Sequence, residues 1–242
     1  MPDLHWTVPV ARWSSWPDGT TIAPDLGFIE PMVRRRLSAL SKIALKVAHD
    51  CADKHQETRL VFASRHGELK RTTDILRAMD KGEPVSPTAF SLSVLNAMSG
   101  IFSIARADRS GAQALSAGSE TLGYGLLEAF AQHEEDGASP VLLVYADEPA
   151  GATHGAVDDD AAPGALALLI GARGAAGTLE CAVTGAVDAA DGVGAAGGVQ
   201  TPAGFATFAS QRAAVLNCLA TRAPSAWRSA LGVWQWSWHD AA

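Results

Sequence analysis

The sequence is short of cysteine, of basic charge and of long apolar segments, and each shortage excludes a class of protein. The three cysteines, Cys51, Cys181 and Cys218, are far apart and odd in number, so they predict neither a disulfide framework nor a zinc site. No run of about 18 apolar residues occurs, which predicts that nothing spans a membrane. The first residues lack a charged segment followed by an apolar core, so we expect no signal peptide and a reducing, cytoplasmic location.

Basic charge is also scarce in this chain of 242 residues. There are 19 Lys and Arg against 26 Asp and Glu, which gives a formal net charge of −7. The one tight basic run is Arg34-Arg35-Arg36, and three consecutive helical residues point in different directions, as on a solvated surface. The balance therefore argues against nucleic acid or an anionic membrane as the main partner.

The composition is that of a globular protein, with 48% hydrophobic and 19% charged residues. No pair of histidines has metal spacing, and Asp158-Asp159-Asp160 is typical of a solvated acidic loop. We therefore expect no metal and no cofactor.

Apolar periodicity predicts strands that alternate with helices, which is typical of an α/β layered fold. The alternation of Trp234, Trp236 and Trp238 places all three on one face of a final strand. Residues 185–204 are rich in Gly and Ala and predict a surface loop. The predicted strands cover about residues 5–13, 59–64, 113–116, 141–145 and 164–170, and the predicted helices 34–51, 67–79, 90–105, 121–132 and 205–219.

Residues 113–121 carry the clearest chemical signal. A short strand passes through a turn of small residues into a helix, which is the layout of a nucleophile elbow, where helix N–H groups can face a developing oxyanion. Ser119 is flanked by Ala117 and Thr121, where the serine-hydrolase motif G-x-S-x-G needs glycines. A serine nucleophile is therefore the weaker interpretation. Its possible histidine partners are His66, His133 and His154.

Two segments near the elbow resemble β-ketoacyl synthases. The segment from Ser86 to Gly100 resembles the family pattern of Pro, a hydrophobic stretch and Asn-x-x-x-Gly, with Asn96 and Gly100 in the last two places and the family's distance to the elbow. Tyr145-Ala146-Asp147-Glu148 resembles the end of the family strand that reads Gly-Gly-x-Glu. The similarity covers roughly residues 30–171.

The resemblance implies one β-ketoacyl synthase-like domain over residues 1–242, with a thiolase-like (condensing-enzyme) layered α/β fold truncated to about the N-terminal half. Residues 1–171 are then the family-like core. Residues 172–242 are a divergent segment with the Gly/Ala-rich loop, a helix and the Trp-rich strand.

The departures from the family bear on function. The family's acyl-accepting cysteine falls at Ser119 or, with a shift of one residue, at Gly118, and neither is Cys. We expect this chain to lack the second half, which supplies the other active-site residues of the family, because a full condensing enzyme is about twice this length. We therefore expect no catalytic residue and no condensation by the chain alone. The chain resembles the short chain length factor of aryl polyene biosynthesis, a polyketide and fatty acid type of pathway, which implies a heterodimer with a complete ketosynthase acting on a substrate bound to acyl carrier protein.

The resemblance also implies roles for individual residues. Asn96 and Gly100 are expected to be structural. An unpaired strand edge needs covering, and in the family the strand before the elbow pairs across the dimer two-fold axis. The implied dimer interface comprises Gln113, Ala114, Leu115, Ser116 and Ala117, and the implied acyl-tunnel lining comprises Ala89, Phe90, Leu92 and Ser93.

Alternatives remain open at this point. The tunnel residues could be plain core, and the chain could be a Ser119-dependent acyltransferase or thioesterase, or a purely stabilising subunit. A cluster of basic residues could contact the acidic carrier protein, although a solvated helix face is favoured for it. That cluster comprises Arg65, Lys70, Arg71 and Arg77.

Overall fold

A computed structural model describes residues 3–17, 20, 22–52, 57–155, 163–171, 174–185 and 201–241. Within this part of the chain, nine strands form one mixed sheet that carries helices on both faces. The strands are β1 (Leu4–Trp16), β2 (Arg59–Ala63), β3 (Ala112–Leu115), β4 (Val141–Asp147), β5 (Gly164–Ile170), β6 (Gly177–Gly185), β7 (Ala206–Thr207), β8 (Ser225–Arg228) and β9 (Gly232–Asp240). The helices are α1 (Pro31–Arg34), α2 (Ala39–Cys51), α3 (Leu69–Asp80), α4 (Pro87–Ser91), α5 (Ala97–Arg106), α6 (Thr121–Glu135) and α7 (Gln211–Thr221).

The long strand β1 joins the two halves of the sheet, whose order is β3-β2-β4-β5-β1-β6-β9-β8-β7. Its second part pairs with β5 and its first part with β6, both antiparallel. The register shifts between Val10 and Arg12, where the second pairing begins. A bulge of this kind bends a strand. Helices α6 and α7 contribute to one core on the same face of this sheet. We call β6, β8, β9 and α7, together with the turn between β8 and β9, the C-terminal wing.

Two hydrophobic cores lie on opposite faces of the sheet. Leu126 of α6 and Val215 of α7 pack with the tryptophans of β9 in the first core. In the second core, α2 with Leu45 packs against β4 and β5, and α5 with Phe102 packs against α2, β2 and β3. Because both faces are covered, β4 and β5 are buried almost throughout, as their continuous apolar runs predict.

Several predicted elements are confirmed, with small changes at their ends. The strand predicted over residues 164–170 is β5. The predicted common face of the β9 tryptophans is also confirmed, because Trp234 and Trp236 are fully buried and Trp238 is 7% exposed. Most of the predicted loop at 185–204, and Asp158-Asp159-Asp160, lie outside the described residues.

Three predicted helices were wrong in extent. The helix predicted over 205–219 begins only at Gln211, because residues 206–207 form β7 and the Ser210 hydroxyl accepts from the Ala213 N–H at 3.2 Å and caps the helix there. The helix predicted to begin at Arg34 begins at Ala39, because the Ser38 hydroxyl accepts a hydrogen bond from the Ser41 N–H at 2.9 Å and caps it there. The helix predicted over 90–105 is divided into α4 and α5. Ser91 and Ser93 lie at the break, and their hydroxyls donate to backbone carbonyls three residues earlier, which competes with a continuous helix.

The structure also contains three strands that were not predicted, β6, β7 and β8. All three lie in the same sheet as the family-like strands. The proposed division into a core over residues 1–171 and a divergent segment over 172–242 stays a prediction. No helix in the described part of the chain is long and apolar enough to cross a membrane.

Candidate functional site

The elbow has the predicted strand, turn and helix geometry. β3 ends at Leu115, and α6 begins six residues later at Thr121. Between them Gly118 adopts a left-handed conformation with φ 60°, which a residue with a Cβ adopts at a cost of about 1–2 kcal/mol. The Thr121 hydroxyl accepts from the Ala117 N–H at 2.9 Å and donates to the Gly118 carbonyl at 2.7 Å, so it fixes the turn.

The elbow lies where three parallel strands end. β2 pairs in parallel with both β3 and β4, so the carboxyl ends of the three strands lie side by side. Open α/β sheets bind ligands just beyond the carboxyl ends of their strands. The Ser116 hydroxyl donates to the Arg65 carbonyl at 2.9 Å and ties the elbow to the loop after β2.

Asp147, the last residue of β4, holds the loop after β2 in place. Its fully buried carboxylate accepts from the backbone N–H of Arg65 at 2.8 Å and of His66 at 3.1 Å. Burial raises the pKa of Asp147 because it disfavours the charged form, while the N–H donors act in the opposite direction. Next to it, burial also raises the pKa of Glu148, and the nearby Lys70 opposes that shift.

Residues of the C-terminal wing hold the first turns of α6. The Ser229 hydroxyl donates to the buried Glu120 carboxylate, and the Gly123 N–H donates to the Gln211 side-chain oxygen at 2.8 Å. A Cβ on Gly123 would lie 2.3 Å from the Trp234 ring, so only glycine allows this close approach. These contacts were not predicted, because they join residues about 90 to 110 positions apart and leave no local pattern.

No activated nucleophile is found at the elbow. Ser119 is half-buried, and it makes no hydrogen bond to a histidine of the described part of the chain. His154 instead bonds the Thr73 hydroxyl through Nε2 at 2.9 Å. Burial raises the pKa of Cys51 and of Cys218 to about 12, and it raises that of Cys181 well above its ordinary value, so none of the three thiols is activated.

The residues predicted to line a tunnel lie on different sides of α4. Ala89 lines a cavity of about 380 Å³ between α3, α4 and the start of α2, which Glu148 also borders. Phe90 and Ser93 line a second cavity of about 460 Å³ between α3 and α4. Leu92 is half-buried at the end of α4. Their role as tunnel lining stays a prediction.

The predicted interface strand β3 is the last strand at its end of the sheet, and no described strand pairs with its outer edge. The N–H of Leu60 donates to Gly111 and that of Ser64 donates to Leu115, so residues 111, 113 and 115 face β2. In a strand the N–H groups alternate in direction, so those of Ala112 and Ala114 point outward. Ile104 on the neighbouring α5 is 82% exposed.

The remaining predicted residues lie in the loop after β2, on α3 and at the start of α5. Asn96 is exposed at the start of α5, and its carbonyl accepts from the Gly100 N–H at 3.1 Å. Gly100 is exposed one turn along the helix. Of the basic cluster, Arg71 pairs with Glu68 at 3.1 Å and Arg77 with Asp74 at 3.4 Å, so intramolecular partners compete for part of its charge. No group of three or more His, Cys, Asp or Glu residues in the described ranges is arranged to hold a metal ion.

Comparison with protein families matches residues 9–239 to the N-terminal domain of β-ketoacyl synthases. Among solved structures, one that contains a ketosynthase in complex with its chain length factor from Xenorhabdus doucetiae has a TM-score of 0.73 and 24% identity, with 96% of this chain and 99% of the other covered. Comparison with curated proteins found no match.

Two further solved structures are less similar. The ishigamide ketosynthase/chain length factor has 21% identity and a TM-score of 0.48, over 61% of this chain and 48% of that one. Ketosynthase twelve of the bacillaene polyketide synthase of Bacillus amyloliquefaciens has 15% identity and a TM-score of 0.48, over 71% and 36%. The thiolase-like α/β fold, present as about the N-terminal half, is confirmed by the family match and by the match with a TM-score of 0.73, taken with the sheet described above.

Proposed function

The chain belongs to the β-ketoacyl synthase N-terminal domain family, and we propose that it is a non-catalytic chain length factor that pairs with a complete ketosynthase. The observation that carries this proposal is the elbow itself. It keeps the family's strand, turn and helix, but it has Gly118 and Ser119 where the family needs cysteine.

The surroundings of the elbow support a structural role. A nucleophile needs a base within hydrogen-bond reach, and Ser119 has no histidine there among the described residues. The carboxylate next to it, Glu120, is buried and occupied by Ser229. These contacts therefore support a structural role for the elbow rather than a nucleophilic role for Ser119.

The open edge of β3 supports a partner. An exposed strand edge with outward N–H groups is a template for another chain, and proteins usually cover it. Exposed Ile104 lies on α5, the helix that contacts β3. We propose that Gln113 to Ala117 pair with the ketosynthase and that α5 packs beside them.

The finer assignment rests on the resemblance and on the cavities around α4. We propose that Ala89, Phe90, Leu92 and Ser93 shape the tunnel in which the partner extends an acyl chain bound to a carrier protein. We propose an aryl polyene as the product class, because this chain resembles the chain length factors of aryl polyene biosynthesis. Acyl carrier protein would be recruited directly or through the ketosynthase.

Reconstitution with a ketosynthase encoded beside this chain tests the proposal. We expect polyene products only when both chains are present, and shorter products with Ala89→Phe or Leu92→Trp, because a larger side chain shortens a tunnel. Ser119→Ala is the matched control and should leave yield and length unchanged. Loss of product with Ser119→Ala would support the acyltransferase alternative and contradict a non-catalytic role, whereas unchanged lengths in every lining variant would indicate a purely stabilising subunit.

A further inference from the structure

The first turn of α7 buries two long polar side chains. Gln211 and Arg212 are only 4% and 6% exposed, although glutamine and arginine usually lie at the surface. The Ser210 hydroxyl accepts from the Ala213 N–H at 3.2 Å and so fixes the start of the helix immediately before them. Because burying a polar or charged group costs free energy unless it gains partners, these side chains must make contacts that an apolar residue could not.

Gln211 holds the start of α6. Its side-chain oxygen accepts from the N–H of Gly123 at 2.8 Å. Gly123 is the third residue of α6, and an N–H in the first turn of a helix has no acceptor within that helix. A hydrogen bond from the C-terminal wing therefore fixes the end of α6 that adjoins the elbow.

Arg212 lies at the carboxyl end of β4. A Cβ on Gly164 would lie 2.5 Å from the Arg212 guanidinium carbon, and Gly164 pairs directly with Asp147 between β5 and β4. Arg212 also acts on Tyr145, whose hydroxyl donates to the Asp147 carboxylate at 3.4 Å. Burial raises the pKa of Tyr145, and the charge of Arg212 opposes that shift. Arg212 therefore packs against the strand end whose carboxylate holds the loop after β2.

Both contacts lead to β3. On one side of the elbow, the Thr121 hydroxyl at the start of α6 accepts from the Ala117 N–H. On the other side, the Ser116 hydroxyl donates to the Arg65 carbonyl in the loop after β2. β3 therefore ends between two supports, and the first turn of α7 reaches one of them through α6 and the other through the end of β4.

We propose that Gln211 and Arg212 are positioning residues for the open edge of β3. They are buried within the chain, and they act by fixing α6 and the end of β4, between which the edge is presented to a partner. This inference rests on the proposed function only in identifying that partner as the ketosynthase. Loss of either side chain should loosen the elbow and weaken the association.

Amide hydrogen exchange of the full chain tests the support on the side of α6. Gln211→Met keeps the length of the side chain but removes the acceptor. We expect exchange at Gly123 and Ala117 to become about two- to tenfold faster, the size expected for the loss of one net hydrogen bond. Gln211→Glu keeps an acceptor oxygen and should restore slow exchange, which a general loss of packing would not do.

Arg212→Met tests the support on the side of β4. It keeps the apolar stem of the side chain and removes the guanidinium. We expect faster exchange at Arg65 and His66, whose N–H groups donate to the Asp147 carboxylate. Unchanged exchange at both positions would remove Arg212 from the proposal.

Asn217→Leu is the matched control, because it also replaces an amide side chain of α7 by an apolar one. The Asn217 amide donates to the Ser225 hydroxyl at 2.9 Å, a contact within the wing. The control should leave exchange at the elbow unchanged. Circular dichroism spectra that match the parent chain show that each variant has folded. Equal effects of Gln211→Met and Asn217→Leu on elbow exchange would overturn the proposal.

Titration with the ketosynthase encoded beside this chain separates the inference from the proposed function. We expect affinity to fall about two- to tenfold in Gln211→Met, to recover in Gln211→Glu and to stay unchanged in Asn217→Leu. Faster elbow exchange with unchanged affinity would overturn the positioning role. A parent chain that does not bind the ketosynthase would refute the proposed partner. The exchange series would then decide the inference alone, and unchanged exchange in Gln211→Met would overturn it.

Discussion

Apolar side chains are buried at one end of the sheet and exposed at the other. In the C-terminal wing, Trp234 and Trp236 are fully buried against α6 and α7. At the other end, β3 has an open edge and Ile104 beside it is 82% exposed. The wing completes the packing of α6 within this chain, whereas the β3 end is where we propose that another chain completes the packing.

The wing is the region where a substitution should cost most. Trp234→Ala removes the ring that packs on Gly123 and stacks with Trp236, with ring centroids 6.4 Å apart. A buried tryptophan replaced by alanine costs about 3–5 kcal/mol of unfolding free energy, and urea unfolding of the isolated chain measures it. Leu231→Ala, at a 61% exposed position of the same wing, should change stability by less than about 0.5 kcal/mol. Equal losses would contradict a closed wing.

The carboxylate beneath the elbow should come next. Asp147→Ala leaves the backbone N–H groups of Arg65 and His66 without their acceptor, and hydrogen bonds to a charged group are each worth about 1.5–3 kcal/mol. Removing the buried carboxylate also removes the cost of burying it, which offsets part of the two bonds. We therefore expect a net loss of about 1.5–3 kcal/mol by urea unfolding, together with faster hydrogen exchange at Arg65 and His66. Asp147→Asn keeps one acceptor oxygen and should lose less. Unchanged exchange in both variants would show that this carboxylate does not order the loop.

The open edge of β3 allows a substitution that affects association without affecting the fold. Ala114→Pro removes an N–H that points away from β2, so the chain alone should keep its stability. Its affinity for the ketosynthase should fall at least about tenfold. The loss of one hydrogen bond at the strand edge, with the altered backbone, costs about 1.4 kcal/mol of binding free energy, and 1.4 kcal/mol corresponds to a factor of ten in affinity. Gln113→Pro is the comparison, because its N–H faces β2 and its loss should destabilise the isolated chain. Equal behaviour of the two variants would contradict the assignment of the edge.

The smallest effect is expected on the outer face of the wing. Glu180 accepts from His239 at 2.8 Å and from His5 at 2.6 Å, and these hydrogen bonds lower the pKa of Glu180 below its ordinary value of 4.5. Because the folded-state pKa is the lower one, the ionised group contributes stability above about pH 4.5 and loses it as the pH falls through the folded value.

For a surface pair of this kind the contribution is about 0.2–1 kcal/mol. Glu180→Gln should therefore lower the melting temperature slightly at neutral pH and leave it unchanged well below pH 4. A difference in melting temperature between Glu180→Gln and the parent chain that grows toward low pH would contradict this assignment.

The sequence predicted best where the pattern is strong and local. β4 and β5 are unbroken apolar runs, and the alternating tryptophans of β9 allow only one face to be buried. β6 was missed although Leu179, Cys181 and Val183 alternate with polar residues, because flanking glycine and small side chains weaken the signal. The strict alternation of buried and less buried positions along residues 177–185 is the signal that would have predicted β6.

The site was predictable only in part, for a physical reason. The elbow is a local pattern of small residues between a strand and a helix, so it could be recognised. The residues that hold it come from the far end of the chain, as in the contacts of Ser229 with Glu120 and of Gln211 with Gly123. Such contacts depend on how the sheet curves, and the bulge in β1 that bends it has no distinct signal in the sequence.

The most direct test of the central claim is the light-scattering mass on a sizing column of the full chain, alone and co-expressed with the ketosynthase encoded beside it. We expect a stable one-to-one complex that Ala114→Pro dissociates. A parent chain that elutes as a well-behaved single species and ignores the ketosynthase would contradict it.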